Sequence, residues 1–115
     1  MKNEPLTQLI SELKKTSIEN DVKIWKRIAV DLEKSSRQRR VVNLYKLEEN
    51  AKPDEIIVVP GKVLGTGEIS KKITIAAHTF SSSACDKILN AKGEILTISE
   101  LIKKNPKGSK VRILG

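Results

Sequence analysis

The sequence predicts an α/β fold in one compact domain, opened by two paired helices. Three observations carry that expectation. Two stretches near the N-terminus place apolar residues at helical spacing. Beyond them, short β-rich runs are interspersed with helical ones. The chain has 115 residues, one domain's worth, enough to bury roughly two-thirds of the surface that its unfolded form exposes.

Leu6, Leu9, Ile10 and Leu13 recur at i, i+3, i+4 and i+7, the spacing of an amphipathic helix. Asn3 is the expected N-cap, with Pro5 in the first turn. A second helix follows Asn20 and Asp21, with Trp25, Ile28, Ala29 and Leu32 as its stripe. The two should pair. "KSSRQRR", from Lys34 to Arg40, breaks the stripe and leads into "VVNLYKL". There Val42, Leu44 and Lys46 alternate with Asn43, Tyr45 and Leu47, which predicts a strand or extended segment. "EIIVVP" predicts a short buried strand stopped by Pro60, and "KITIAAHTF" another strand after a glycine-rich loop. "SSSACDKILNAKG" predicts a helix with a capping box of Ser83 and Asp86, a shared face of Ala84, Cys85, Ile88 and Leu89, and Gly93 at its end. "EILTI" predicts a strand. Thr97 and Glu100 form a second capping box that opens a short helix, "SELIKKN", closed by Asn105-Pro106, before a last strand in "SKVRIL". No repeat or long linker divides the chain. The expected organisation is a single domain over 1–115, with the helical pair over 1–34 and an α/β core with basic loops over 35–115.

The net charge is +8 and the only aromatic residues are Trp25, Tyr45 and Phe80. Such a surplus favours a polyanion, and so few rings suit a module that reads bases by stacking poorly. No apolar run is long enough to span a bilayer, and "MKNEPLTQLISELKK" lacks the apolar centre of a signal peptide. Cys85, the single cysteine, cannot form an internal bridge, which fits a reducing cytosol. The charge is uneven. Residues 1–34 are net +1, whereas 35–47 carry Arg37, Arg39, Arg40 and Lys46 with no acid. The segment 103–112 carries Lys103, Lys104, Lys107, Lys110 and Arg112, also without an acid.

The loop "VVPGKVLGTGEISKK" invites a phosphate reading through Gly61, Gly65 and Gly67. A Walker A loop requires a second glycine where Thr66 stands, followed by Lys-Ser or Lys-Thr. A dinucleotide fingerprint requires a third glycine where Ser70 stands, and a helix where a strand is predicted. Both cofactor readings fail. Two readings stay open: glycines that only supply positive φ, or bare backbone that lets a sugar-phosphate strand approach, with Lys62, Lys71 and Lys72 neutralising it. Arg37, Arg39 and Arg40 grip phosphate through planar guanidinium forks, and without an acid they should repel one another unless an anion lies across them. His78 reads as structural, Trp25 and Cys85 as core. No Cys/His/Asp cluster has metal spacing, and a Ser82 or Ser83 nucleophile with His78 lacks an orienting acid. Neither catalytic residues nor a metal nor a cofactor is expected.

These residues, in this order, resemble the archaeal and eukaryotic large-subunit ribosomal protein family called eighteen-e, sister to the bacterial large-subunit protein fifteen. "LISELKK", "IWKRIAVDLEK", "RRVVNLYKLE" and "NPKGSKVRIL" look like its segments, and the stretch from Val58 to Ala84 looks like the most diagnostic. Paired glycines common in the family before the strand that follows the third helix are Lys92-Gly93 here. The long eukaryotic extensions do not appear, so the type looks archaeal. The resemblance implies short strands and helices in an irregular superhelical stack. It implies a structural, non-enzymatic role in the cytoplasmic large ribosomal subunit, with large-subunit rRNA and neighbouring ribosomal proteins as partners and neither membrane nor small-molecule substrate. The RNA-binding positions it suggests are Arg37, Arg39, Arg40 and Asn43, with Gly61, Lys62, Gly65, Thr66, Gly67, Lys71 and Lys72. The basic segments add Lys34, Lys107 and Lys110. The glycine loop and the arginine run are expected on one RNA-facing side, with Gly65→Val harming assembly more than folding. The alternatives are an RNA- or DNA-binding module outside the ribosome and a nucleotide enzyme built on the loop.

Overall fold

The computed structural model describes residues 5–34, 39–52 and 54–114. Helix α1 (Leu6–Asn20) buries Leu9 and Leu13, and α2 (Lys23–Glu33) buries Trp25, Ile28, Ala29 and Leu32. The two stripes meet in one apolar cluster, as the helical spacing requires. Pro5 stands at the N-cap of α1 without a side-chain bond; Asn3 lies outside the described residues. The Trp25 indole donates to the Pro106 carbonyl at 2.7 Å, tying the helical pair to the far end of the chain.

Five strands form one parallel sheet. They are β1 (Arg40–Asn43), β2 (Ile56–Leu64), β3 (Thr74–Phe80), β4 (Glu94–Thr97) and β5 (Val111–Ile113). The long β2 is the axis. On one side it pairs with β3, which pairs in turn with β4. On the other side two short strands lie end to end: β5 along Ile56–Val58 and β1 along Gly61–Leu64. Helices α3 (Leu44–Asn50) and α4 (Ser82–Asn90) supply one layer, and α5 (Ile98–Lys104) joins α1 and α2 in the other. Both faces therefore carry a buried apolar cluster, although the row Val41–Lys62–Thr79 stays uncovered. Ile57, Val59 and Val63 point to the α3/α4 side and Val58 to the other, as a parallel sheet between two helical layers demands. The crossover from β2 to β3 is the glycine loop, with no helix in it.

Three sequence expectations are corrected. The strand over Val42–Leu47 ends at Asn43 and the chain turns into α3, because Leu44 and Leu47, three apart, both reach the core. Pro60 does not stop β2. The register passes from Val59↔Ala77 to Lys62↔Thr79, so β2 carries one extra residue there, a bulge. On its other edge Pro60 faces the gap between β5 and β1. The missing N–H of proline thus costs no ladder bond. The cap of α4 is Ser81, whose hydroxyl accepts from the Ala84 amide at 3.2 Å; Ser83 is already inside the helix.

The end of α4 is a Schellman turn. Gly93 N–H donates to Ile88 O and Lys92 N–H to Leu89 O, each at 2.9 Å, with Lys92 in the left-handed region at φ 64°. Thr97 and Glu100 form both halves of their capping box.

Candidate nucleic-acid interface

The arginine run meets an acid that its linear context hides. Lys34 Nζ lies 3.2 Å from Asp31 Oδ1, and Arg40 Nη2 lies 3.2 Å from Asp31 Oδ2. Asp31 is buried on α2, and burial of a carboxylate requires such partners. Of the three arginines read as mutually repelling, Arg40 is therefore compensated from the neighbouring helix, together with Lys34. Arg37 lies outside the described residues. Arg39 pairs with no acid among them; its Nε donates to the Lys34 carbonyl at 3.2 Å. Asn43, at the end of β1, keeps a buried Oδ1 without a hydrogen-bond partner among the described residues.

Two grooves open on either side of Arg40. One, of about 500 Å³, runs between the start of α2 and β5, where Lys23, Arg27, Arg40 and Arg112 stand over Ile24 and Ile113. The other, of about 240 Å³, is lined by Arg39, Arg40, Gly61, Lys62, His78 and Thr79. Its floor is the sheet itself: register places Val41, Lys62 and Thr79 in one row across three strands. Neither groove has an acid among its lining residues. Arg112 is held from the side by Glu55 at 2.8 Å. Lys23, Arg27, Arg39 and Lys62 have no ion pair among the described residues. His78 is half-buried, and burial first, then the Arg39 charge, pushes its pKa below the ordinary histidine value. Its neutral form is thereby favoured in a groove of fixed cations.

The glycines are filled by the protein itself. A Cβ on Gly61 would lie 1.9 Å from the Arg40 carbonyl oxygen, and one on Gly65 1.9 Å from Ser83 Oγ. Gly67 sits at φ 98° against the start of α3. Strand pairing and the two helix starts account for all three. The loop's carbonyls turn inward: Lys87 Nζ donates to Gly65 O at 2.9 Å and Gly67 O at 2.8 Å, and Tyr45 N–H to Thr66 O at 3.2 Å.

The remaining predicted positions lie apart. Lys71 caps the end of α3, its Nζ donating to Glu48 O at 2.6 Å and Ala51 O at 3.2 Å. The Ser70 hydroxyl, then the Ser70 amide and Lys71, hold the Glu48 carboxyl below its usual pKa. Lys72 is exposed beside it, and Lys107 and Lys110 are exposed in the turn before β5. The structure thus joins Lys34, Arg39, Arg40, Gly61 and Lys62. It sets Gly65–Gly67 at the carboxyl ends of the strands and Lys71 and Lys72 at the amino ends.

Sequence reasoning passed over Lys23, Arg27 and Lys87. The first two were averaged into a nearly neutral helical segment; their signal was a cation pair at i and i+4, on the opposite side of α2 from its stripe. Lys87 carried no local sign of its role. Among the described residues no group of three or more His, Cys, Asp or Glu could hold a metal ion. No helix there is long and apolar enough to cross a membrane.

Fold and surface together define a small, basic α/β protein with a cation-lined flank and no assembled catalytic centre among the described residues. The sequence profile described as "Ribosomal protein 60S L18 and 50S L18e" matches residues 4–115. Among curated proteins, the large ribosomal subunit protein eL18 of Methanoregula boonei is 53% identical over 112 residues, covering 97% of this chain and 93% of the relative. That of Archaeoglobus fulgidus is 46% identical, covering 97% and 96%. That of Methanococcus maripaludis is 43% identical, covering 100% and 97%. The chain belongs to the ribosomal protein 60S L18 and 50S L18e family. The family's names describe a ribosomal protein and no enzyme, which sets the nucleotide-enzyme reading of the loop aside.

Proposed function

We propose that this chain is a structural constituent of the cytoplasmic large ribosomal subunit and seats large-subunit rRNA on the two grooves that meet at Arg40. The observation that carries the reading is the convergence of Lys23, Arg27, Arg39 and Lys62, four cations without ion pairs among the described residues, around grooves lined by no acid. Like charges gathered this way raise the potential of the surface until an anion covers them. Membership of a ribosomal-protein family supports RNA as that anion. A-form RNA offers phosphates, 2′-hydroxyls and shape, which guanidinium forks and lysines over a bare sheet can grip without aromatic stacking. Lys34, Arg37, Asn43, Lys71, Lys72, Lys107 and Lys110 belong to the same proposal as outer contacts, and Gly61 as the residue that lets β1 and β2 close beneath them. Neighbouring ribosomal proteins are the other expected partners.

A sucrose gradient tests the reading. A ribosomal protein co-sediments with large subunits and stays there through a high-salt wash; a general nucleic-acid binder is stripped off and returns to the top. Recovery only at the top in high salt removes the ribosomal assignment.

A further inference from the structure

Three consecutive carbonyls after β2 are held from the inside: those of Gly65 and Gly67 by Lys87 Nζ, and that of Thr66 by the Tyr45 amide. The peptide bonds are trans, and across a planar trans peptide the N–H points opposite to the C=O. The amides of Thr66, Gly67 and Glu68 are therefore turned away from these donors. None of the three donates a hydrogen bond among the described residues, and Thr66 and Glu68 are exposed. Gly67, at φ 98°, supplies the left-handed step that a run of outward amides needs. Glu68, the one acid of the loop, leans back to Lys87 Nζ at 3.4 Å, on the carbonyl side. Tyr45, half exposed, flanks Gly67.

We propose that Lys87 is a positioning residue: it holds the carbonyls of Gly65 and Gly67 so that the amides of Thr66, Gly67 and Glu68 form an outward cradle for one phosphate of the RNA backbone. The inference rests on the rRNA reading above but uses a separate part of the surface. It also gives the glycine loop a role that close packing of its glycines leaves untouched. The bare backbone faces inward against α3 and α4, and the amides face out.

The test is amide NMR on the full chain, titrated with an A-form RNA duplex and, separately, with inorganic phosphate, for the parent, Lys87→Arg and Lys87→Met. Affinity for a large-subunit rRNA transcript is measured alongside. The expected result is a concerted downfield shift of the Thr66, Gly67 and Glu68 amides with RNA in the parent and Lys87→Arg, lost in Lys87→Met. The methionine variant should still fold, melting somewhat below the parent because two carbonyls lose their donor, and bind the transcript about tenfold weaker, the size expected from losing hydrogen bonds to a charged acceptor. If RNA binds the parent and these amides stay still, the cradle is wrong while the grooves at Arg40 stand. If Lys87→Met shifts like the parent, Lys87 positions nothing. If inorganic phosphate saturates the amides at lower concentration than the duplex, the site is for a free anion. If the transcript does not bind the parent at all, the rRNA reading itself falls.

Discussion

A Cβ on Gly65 would lie 1.9 Å from Ser83 Oγ and 2.9 Å from the Ala84 amide nitrogen. A serine hydroxyl can rotate aside, but the backbone at the start of α4 cannot move without disturbing Ala84, which is fully buried. Gly65→Val should therefore damage folding first, reversing the expectation drawn from RNA approach. Overpacking against fixed backbone costs roughly 1–3 kcal/mol, so urea unfolding should show a clearly lowered midpoint. Incorporation into subunits should then fall only in proportion to the folded fraction. A parent-like midpoint with blocked incorporation would restore close RNA approach as the reason for this glycine. That Gly61, Gly65 and Gly67 mattered was legible in the sequence. What they approach was not, because Arg40, Ser83 and Tyr45 are brought to them only by parallel pairing and two helix starts.

At the level of elements, the serine run before α4 shows how a correct helix can carry a misplaced cap. Ser81 and Ser83 both precede suitable residues, and the S-x-x-D spacing favoured Ser83. The structure chooses Ser81 because β3 runs to Phe80 and its backbone is still extended at Ser81, φ −72° and ψ 158°. Ser81→Ala should cost about 1 kcal/mol, the usual loss of an N-cap. Ser83→Ala should stay within a few tenths, as expected for an exposed position inside the first turn. Equal losses in thermal melts of the two variants would return the cap to Ser83. The helices α1, α2, α4 and α5 were legible because each repeats its apolar residues over two turns or is opened by a hydroxyl cap. Helix α3 has only Leu44 and Leu47 to show, too few to separate period 3.6 from period 2. Read-through at Pro60 was hidden for a different reason. Proline is compatible with β2 only because β1 and β5 stop short of it on one side and a bulge lies on the other.

Over the whole molecule, the placement of charge matters more than its sum. Counted along the chain, the N-terminal helices looked neutral and the loops basic. Folded, Asp31 of α2 takes up Lys34 and, at the start of β1, Arg40, while Lys23 and Arg27 join Arg39 and Lys62 around the two grooves that share Arg40. No linear count could find this, since α2 and the β1–β2 edge meet only once the chain is folded. It yields a test that separates binding from stability. Changing Lys23, Arg27, Arg39 and Lys62 together to Gln should lower the slope of log affinity for the rRNA transcript against log salt by about three to four units, near one per phosphate contact. The same variant should melt no lower than the parent at low salt, because these cations have no ion pair among the described residues and removing them lowers the self-repulsion of a net positive chain. A control changing Lys26 and Lys103, exposed cations outside both grooves, should leave the slope within about one unit. An undiminished slope in the fourfold variant would mean that RNA lies on another face. A slope reduced equally by the control would mean that only total charge counts and that the grooves at Arg40 recognise nothing.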